Sequence, residues 1–273
     1  MLNKEEYVEQ DFFFRTFRER LDLGYSTQEI LYGMKSELLS ATSLPIAVGI
    51  LLTEIKLSGK TSLAMARMKH YFTTFQTFII GEAEKEEGRF DFRIALRILE
   101  REAKYRSGEP TQQGVFFYQF ETLSRNRLGF DYGLEAIAND PIFDEHWKQW
   151  INVVLRRQLG VIDIARLIFV RSAFYQLQDG EEPKPVLFGE REGRIAKASI
   201  GRDPLFLFSA LSRHLGYPNV PRIQRVEERV DPDILDLRRK IELLESRLQL
   251  VQEELKGGIN LERFYVNKNQ NKR

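Results

Sequence analysis

The chain has 273 residues, of which 42% are hydrophobic and 12% aromatic, enough to fill the core of one or two domains of roughly 150 residues each. Its 41 basic and 40 acidic residues leave a net charge of +1, which excludes a global attraction to nucleic acid or anionic membranes. The absence of cysteine excludes disulfides, thiolate metal sites and a cysteine nucleophile, and suits a reducing compartment. The acidic start is unlike an export signal, and no apolar run reaches the roughly 20 residues of a membrane span, so we expect a cytoplasmic protein.

Residues 1–106 are predicted to form an N-terminal helical bundle. Apolar side chains recur at three-and-four spacing over 3–22, as on one face of a helix. Ser26 followed by Glu29 is a capping box that opens a second helix. Proline and glycine then separate further helices, over 45–57, 61–84 and 90–106.

Residues 110–178 are predicted to form a second helical unit, because Gly108 and Pro110 mark a boundary. Asp140 and Pro141 fit the N-cap and first position of a helix. The predicted helices cover 111–127, 131–139, 142–158 and 160–178. Residues 179–230 are predicted to hold a Gly/Pro-rich irregular or hairpin insertion up to 204, a short helix over 205–215 capped by Asp203, and a linker.

A heptad pattern near the carboxyl end predicts a coiled coil over 231–257, followed by a polar tail over 258–273. Apolar residues alternate at spacings of three and four, as in a coiled-coil seam. The predicted self-association residues are Ile234, Leu237, Ile241, Leu244, Leu248, Val251 and Leu255. The predicted fold is therefore all-α: two helical-bundle units and a C-terminal coiled-coil helix, with a small irregular or hairpin insertion.

The charges beside this seam favour a parallel homodimer. With Ile234 at position a, Asp233 faces Arg238 of the second chain, and Lys240 faces Glu245, so both pairs attract. The alternative is that the helix docks on its own chain or forms a higher oligomer. That alternative is favoured by apolar residues beside the seam, at Leu235, Leu243 and Leu250.

Motifs for chemistry are sparse. His70, His146 and His214 are too far apart to supply a helical metal-binding pair, so no metal or cofactor is predicted. The sequence around Gly59 and Lys60 resembles the end of a P-loop, but Glu54 stands where that motif needs glycine. We therefore interpret Gly59 as a helix C-cap and Thr61 as the next N-cap.

An arginine stripe recurs every fourth residue on the predicted helix over 90–106. It is formed by Arg89, Arg93, Arg97 and Arg101. Such a stripe could contact anions, including phosphates. The alternative, which we favour, is a solvated face with partners on the same helix, such as Asp91, Glu100 and Glu102.

Short motifs over about residues 12–106 resemble a known family. They are Phe13-Phe14-Arg15, Leu21-Asp22-Leu23-Gly24, Gly81-Glu82, Gly88-Arg89-Phe90 and Ala95-Leu96 running to Glu100. This set resembles the helical cytoplasmic domain of the F-type platform proteins of type II secretion and type IV pilus machines, although Gly88 falls later than the glycine of that family. The resemblance implies a bundle that mediates protein contacts and carries no catalytic residues.

These patterns favour a non-enzymatic scaffold or adaptor that contacts other proteins and pairs with itself. The alternative is a nucleic-acid-associated regulatory factor that uses the arginine stripe and a basic segment over 186–229. A third hypothesis, an enzyme whose carboxylates meet only on folding, has no specific signal in the sequence.

Overall fold

A computed structural model of the chain describes residues 2–85, 90–179 and 185–222. These residues are mostly helical and contain no β-strand, which confirms the predicted all-α class. Residues 1–223 form one compact unit, and the predicted boundary at 106–110 lies inside it, between two consecutive helices. The predicted coiled coil over 231–257 and the tail over 258–273 lie outside the described residues.

The first half of this unit is built on a long pair of helices. The first helix buries Tyr7 and the phenylalanines Phe13, Phe14 and Phe17. The sixth packs along it and contributes Leu96 and other apolar residues to the same core. The helices are α1 (Lys4–Asp22), α2 (Thr27–Met34), α3 (Leu44–Ser58), α4 (Ser62–Arg67), α5 (Thr74–Ala83) and α6 (Phe92–Arg106).

Local capping signals explain several ends of these helices. The predicted capping box of Ser26 and Glu29 is present at the start of α2. The single helix predicted over 61–84 is wrong, because the chain turns between α4 and α5. Thr73 and Gln76 form a second capping box at that turn, so the side chain of Thr73 starts a new helix.

The second half surrounds an aromatic core. Phe116 contacts Trp147, Trp150 and Phe188, with ring centroids 5.3, 5.3 and 6.2 Å away. A π-helical segment, Trp150–Leu155, joins two of the helices. The helices are α7 (Gln112–Asn126), α8 (Phe130–Ala138), α9 (Glu145–Gln149), α10 (Arg156–Gln158), α11 (Ile164–Val170), α12 (Ala173–Asp179), α13 (Glu190–Ser199) and α14 (Pro204–Leu215).

The predicted N-cap at Asp140 is wrong. Asp144 caps α9 instead, by accepting a hydrogen bond from the backbone N–H of Trp147 at 3.0 Å. Asp140 is buried and forms an ion pair with Arg106. Asp140 also accepts a hydrogen bond from the backbone N–H of Ile142 at 3.1 Å, in the turn before α9. The Asp-Pro motif thus indicated a local turn, but it did not reveal the long-range ion pair with Arg106.

The prediction of an irregular or hairpin insertion over 179–204 is wrong for its second part, where α13 forms a regular helix. The glycines misled the interpretation. A side chain on Gly193 would begin 2.2 Å from the hydroxyl oxygen of Ser172, so this glycine allows the helix to cross the chain closely. The helix predicted over 160–178 is likewise interrupted, because the backbone of Arg171 and Ala173 hydrogen-bonds with that of Leu187 and Phe188.

The two halves begin and end in similar ways. In each, a first helix is joined by a short turn to the second, through Gly24 or Gly129. The last helix of each half begins at an aspartate N-cap, Asp91 or Asp203, and packs back on the first. Asp203 was predicted as this N-cap, and the structure confirms it.

Candidate protein-binding surface

Helix α3 is apolar on both its inner and outer sides. The inner side, formed by Leu44, Ala47, Val48 and Leu51, is buried in the core. On the outer side, Ile46 is 71% exposed, Leu57 is 80% exposed, and Ile50 is also exposed. A helix that is apolar all round is normally enclosed by protein. The outer side, here called the α3 face, is therefore an apolar surface that the described part of the chain leaves uncovered.

A groove of about 620 Å³ runs along the α3 face. Basic residues from two other elements line it, Lys35 after α2 and Arg67 at the end of α4. The Lys35 ammonium lies 3.8 Å from the position where a side chain on Gly49 would begin, so it packs against α3 at this glycine. Arg67 Nη1 pairs with Glu54 Oε2 at 2.7 Å. The lining therefore carries two cations and one carboxylate, an excess of positive charge.

The loop between α3 and α4 is a capped helix junction. Gly59 adopts a left-handed conformation and ends α3, as predicted. Thr61 lies at the N-cap of α4, but its side chain does not cap the helix. Glu84 does so from a distance: its carboxylate accepts hydrogen bonds from the backbone N–H groups of Thr61 and Ser62 at 2.6 and 3.1 Å. The groups that resembled the end of a P-loop therefore hold a carboxylate of the same chain.

Two residues of the arginine stripe form contacts within the chain. Arg93 pairs with Asp22 at the end of α1, with its Nε 2.8 Å from Oδ1. Arg101 Nη1 donates a hydrogen bond to the carbonyl oxygen of Asn219 at 2.5 Å. Arg97 is exposed, and Arg89 lies outside the described residues. Two members of the stripe therefore attach other parts of the unit to α6.

The predicted partners of the stripe are wrong, because the acidic residues of α6 serve other contacts. Asp91 caps the helix by accepting backbone N–H groups, and Glu100 pairs with Arg18 of α1 at 3.2 Å. Glu102 faces the core, where it contacts Arg106. Helical spacing identified which residues share a face of α6. It did not identify which neighbouring segment each face contacts.

A group of five polar side chains is buried between the two halves. It is here called the Arg106 cluster and consists of Tyr7, Glu102, Arg106, Gln119 and Asp140. Arg106 lies between the two carboxylates: its Nη2 is 2.9 Å from Glu102 Oε1 and also contacts Asp140 Oδ2. Gln119 Nε2 donates to the same two oxygens at 2.7 and 3.0 Å. The guanidinium therefore joins α6 to the segment that follows α8.

Burial and neighbouring charges both shift the pKa values in this cluster. It raises the pKa of Glu102 above its ordinary value, although the charge of Arg106 acts in the opposite direction. Burial by itself lowers the pKa of Arg106, but Asp140 and Glu102 outweigh it and hold the pKa above the usual range. Within the described residues, Glu102 Oε2 and Gln119 Oε1 have no hydrogen-bond donor. The side chain of Arg106 is 0% exposed, so the cluster joins helices and does not face solvent.

Comparisons with known proteins do not assign this chain to a family. No family model matches it, and neither a curated protein nor a solved structure is significantly similar to it. The resemblance to secretion platform proteins therefore stays a prediction. Among the described residues, no helix is both long and apolar enough to cross a bilayer, and no group of side chains has the composition of a metal site.

The coiled-coil residues predicted for self-association lie outside the described part of the chain. Conversely, the sequence analysis did not single out the α3 face. The available signal was the spacing of apolar residues in α3, which places Ile46 and Ile50 on one side and Val48 and Leu51 on the other. Such a pattern shows that the helix is apolar all round, but only the packing of its neighbours decides which side remains exposed.

Proposed function

We propose that this protein is a non-enzymatic cytoplasmic adaptor that binds a partner protein on the α3 face and pairs with a second copy of itself through residues 231–257. The observation that carries the proposal is the uncovered apolar side of α3. Large exposed apolar patches with polar rims mark interaction sites. The exposed arginines of the stripe support the nucleic-acid alternative less well, because Arg93 and Arg101 already contact their own chain.

The groove favours a partner of defined chemistry. Its floor is one helix, from Ile46 to Leu57, which spans about 16 Å at 1.5 Å per residue. An amphipathic helix can occupy such a groove with apolar side chains at three-and-four spacing. Lys35 and Arg67 add positive charge beside the floor, so acidic residues on that partner helix would be attracted. The proposed partner segment is therefore an acidic amphipathic helix.

A designed peptide tests this proposal on the full chain. The probe is a labelled helical peptide with leucines at three-and-four spacing flanked by glutamates, and the measurement is fluorescence anisotropy. The Leu57→Ser variant should bind it about tenfold more weakly or worse, because a buried leucine contributes about 1.5–3 kcal/mol. Leu23→Ser is the matched control, since Leu23 is 75% exposed but does not line the groove.

Two outcomes contradict the α3 proposal. One is equal loss of binding in the Leu57→Ser and Leu23→Ser variants, which would indicate nonspecific apolar contact. The other is equal or tighter binding of a peptide in which lysines replace the flanking glutamates, since the rim would then not select acidic partners.

Self-association is tested separately in the carboxyl-terminal segment. Leu244→Glu places a charge in the predicted seam, whereas Gln249→Glu places the same charge outside it. Light scattering should show a dimer for the native chain and the Gln249→Glu variant, and a monomer for Leu244→Glu. A native monomer would contradict the coiled coil.

The parallel register has its own test. Lys240→Glu and Glu245→Lys should each weaken self-pairing, while a mixture of the two variants should pair with each other, because both facing charges again attract. Equal pairing in every combination would contradict the parallel arrangement.

A further inference from the structure

A second cavity, of about 490 Å³, lies in the other half of the unit, between α7, α8, α10 and α14. We refer to it as the α8–α14 pocket. Among its lining residues, Leu134 and Phe208 are only 1% exposed, whereas Phe130 is 37% exposed. The pocket therefore reaches from the surface into the core. Small-molecule sites commonly occupy about 300–1,000 Å³ and are mostly apolar, with a few polar groups.

The first helices of the two halves, α1 and α7, correspond on their buried sides. Each buries three phenylalanines at the same spacing, Phe13, Phe14 and Phe17 in α1 and Phe116, Phe117 and Phe120 in α7. In both sets the centroids of the first and second rings lie 5.2 Å apart, and those of the first and third 5.7 Å apart. Continued by one helical turn, the same correspondence matches Leu21 of α1 with Ser124 of α7.

The last helices of the two halves, α6 and α14, correspond from their N-caps. Asp91 caps α6 and Asp203 caps α14. The residue after the cap is Phe92 in the first half and Pro204 in the second. Helix α6 packs on α1, and α14 packs on α7. Both Ser124 and Pro204 line the α8–α14 pocket, so the cavity lies where the second half has smaller residues than the first.

In the first half, apolar side chains fill the corresponding positions. The ring of Phe92 packs against that of Phe17, with their centroids 6.0 Å apart, and both Leu21 and Phe92 pack against the core. In the second half, Phe120 corresponds to Phe17, and it lines the pocket. Since protein interiors are otherwise close-packed, the pocket is a local departure from the packing of the first half. The groups that the second half lacks, an aromatic ring and a branched alkyl group, indicate what would fill it.

The charged residues of the pocket lining pair with each other. Arg156 Nε lies 3.3 Å from Asp131 Oδ1. Arg156 Nη1 also lies 3.8 Å from Glu135 Oε2, although Glu135 does not line the pocket. A charged molecule that entered the pocket would lose hydration without meeting an unpaired counter-charge in the lining, which costs free energy. The Ser124 hydroxyl can donate or accept a hydrogen bond, so the lining favours an uncharged molecule.

We propose that the α8–α14 pocket binds an uncharged, apolar ring compound. The compound occupies the space that Leu21 and Phe92 fill in the first half, with its ring against Phe120 and Phe208, and a hydroxyl group on it bonds to Ser124. The pocket shares no lining residue with the α3 face, and the proposal does not depend on the adaptor function.

Three probes with the same ring system test the proposal on the full chain. They are naphthalenemethanol, naphthylmethylamine and naphthoate, which are neutral, cationic and anionic at neutral pH, and binding is measured by equilibrium dialysis. The alcohol should bind saturably, and each charged probe should bind about tenfold more weakly. No saturable binding of the alcohol, or a charged probe that binds as tightly as the alcohol, would overturn the proposal.

Restoring the residues of the first half tests where the probe binds. Ser124→Leu, alone and combined with Pro204→Phe, fills the pocket and should weaken binding of the alcohol about tenfold or more. Unfolding by urea without the probe should show unchanged or higher stability, because filling a cavity commonly stabilises a protein. Ser124→Ala removes the hydroxyl without filling the pocket, and should weaken binding only about threefold.

Two further variants complete the test. Phe130→Ala removes a ring that lies 5.9 Å from that of Phe120 at the exposed end of the pocket, and should weaken binding if the double variant does not fold. Tyr132→Ser is the matched control, because Tyr132 is exposed on the same helix and does not line the pocket.

The outcomes distinguish this site from the α3 face. If a folded Ser124→Leu variant and the Phe130→Ala variant bind the alcohol like the native chain, the proposed site is wrong. Equal losses in Ser124→Leu and Tyr132→Ser would likewise contradict it. Leu57→Ser should leave probe binding unchanged, and a loss in that variant would place the probe on the α3 face instead.

Discussion

In most proteins charged side chains are exposed and large apolar ones are buried. The Arg106 cluster and the α3 face are two exceptions of opposite kinds. The first buries charges, which costs free energy unless each charge has a partner. The second exposes apolar side chains to water, and covering them would lower the free energy. The partners of Arg106 are found within the chain, at Glu102 and Asp140. Those of Ile46 and Leu57 are not found among the described residues. The cluster therefore joins helices of one chain, whereas the role we propose for the α3 face depends on a partner from outside those residues.

The largest expected effect comes from breaking the buried cluster. Asp140→Asn removes a charge that Arg106 faces in the core, and should lower the free energy of unfolding by about 3–5 kcal/mol. Urea denaturation measures the change. Asp131→Asn is the control, because it removes an exposed aspartate that also pairs with an arginine, and it should cost less than about 1 kcal/mol. Similar losses of unfolding free energy in both variants would show that the buried ion pair contributes no more to stability than the exposed one.

The inner and outer sides of α3 should respond differently to the same substitution. Leu51→Ala creates a cavity in the core and should cost about 2–5 kcal/mol of unfolding free energy. Leu57→Ala should change it by no more than about 0.5 kcal/mol, because Leu57 is exposed. Thermal or urea unfolding gives both values. A large loss for Leu57→Ala would mean that this side chain is already covered within the native protein.

The pH dependence of the free energy of unfolding tests the protonation of Glu102 in the Arg106 cluster. The pKa of Glu102 is raised in the folded protein, mainly by burial, so its contribution to stability is complete below the unfolded value near 4.5 and falls as the pH rises through the folded value. Among the described residues, the charged or titratable groups around it are Tyr7, Arg106, Tyr118 and Asp140. Glu102→Gln should therefore gain stability relative to the native chain as the pH rises above 4.5. A constant difference across that range, measured by urea unfolding, would contradict the raised pKa.

The smallest expected effect is on the surface of α6. Arg93→Ala removes an exposed pair with Asp22 and should cost less than about 1 kcal/mol, since exposed ion pairs contribute little. The matched variant Arg97→Ala removes an exposed arginine at the next position of the stripe and should cost still less. If Arg93→Ala destabilised the protein as much as Asp140→Asn, the surface pair would have to be regarded as part of the core.

Helix boundaries were predictable where the determining groups are close in sequence. The capping box of Ser26 and Glu29 acts over three residues, so its effect does not depend on the rest of the fold. Thr73 and Gln76 have the same spacing, but no proline or glycine lies between residues 61 and 80, so punctuation by those residues predicted one continuous helix. Gly193 was interpreted as a loop residue because the close approach of Ser172, which requires it, is not visible in the sequence.

The arginine stripe shows how far a candidate site can be predicted from spacing in the sequence. Spacing correctly placed Arg93, Arg97 and Arg101 on one helix, but their partners lie 71 or more residues away along the chain, at Asp22 for Arg93 and at Asn219 for Arg101. Periodicity specifies the faces of a helix and carries no information on which other segment covers each face.

The amino-acid sequence by itself determined the helical class, the positions of several caps and the apolar composition of α3, because these depend on groups within one or two turns of each other. Tertiary structure alone decided that Asp140 pairs with Arg106, that Glu84 caps α4 and that no other described residue covers the outer side of α3. Each of these depends on which distant segments meet when the chain packs. Burial then sets the dielectric surroundings and the partners of a side chain, and so decides whether the same residue type stabilises the fold or remains free to bind.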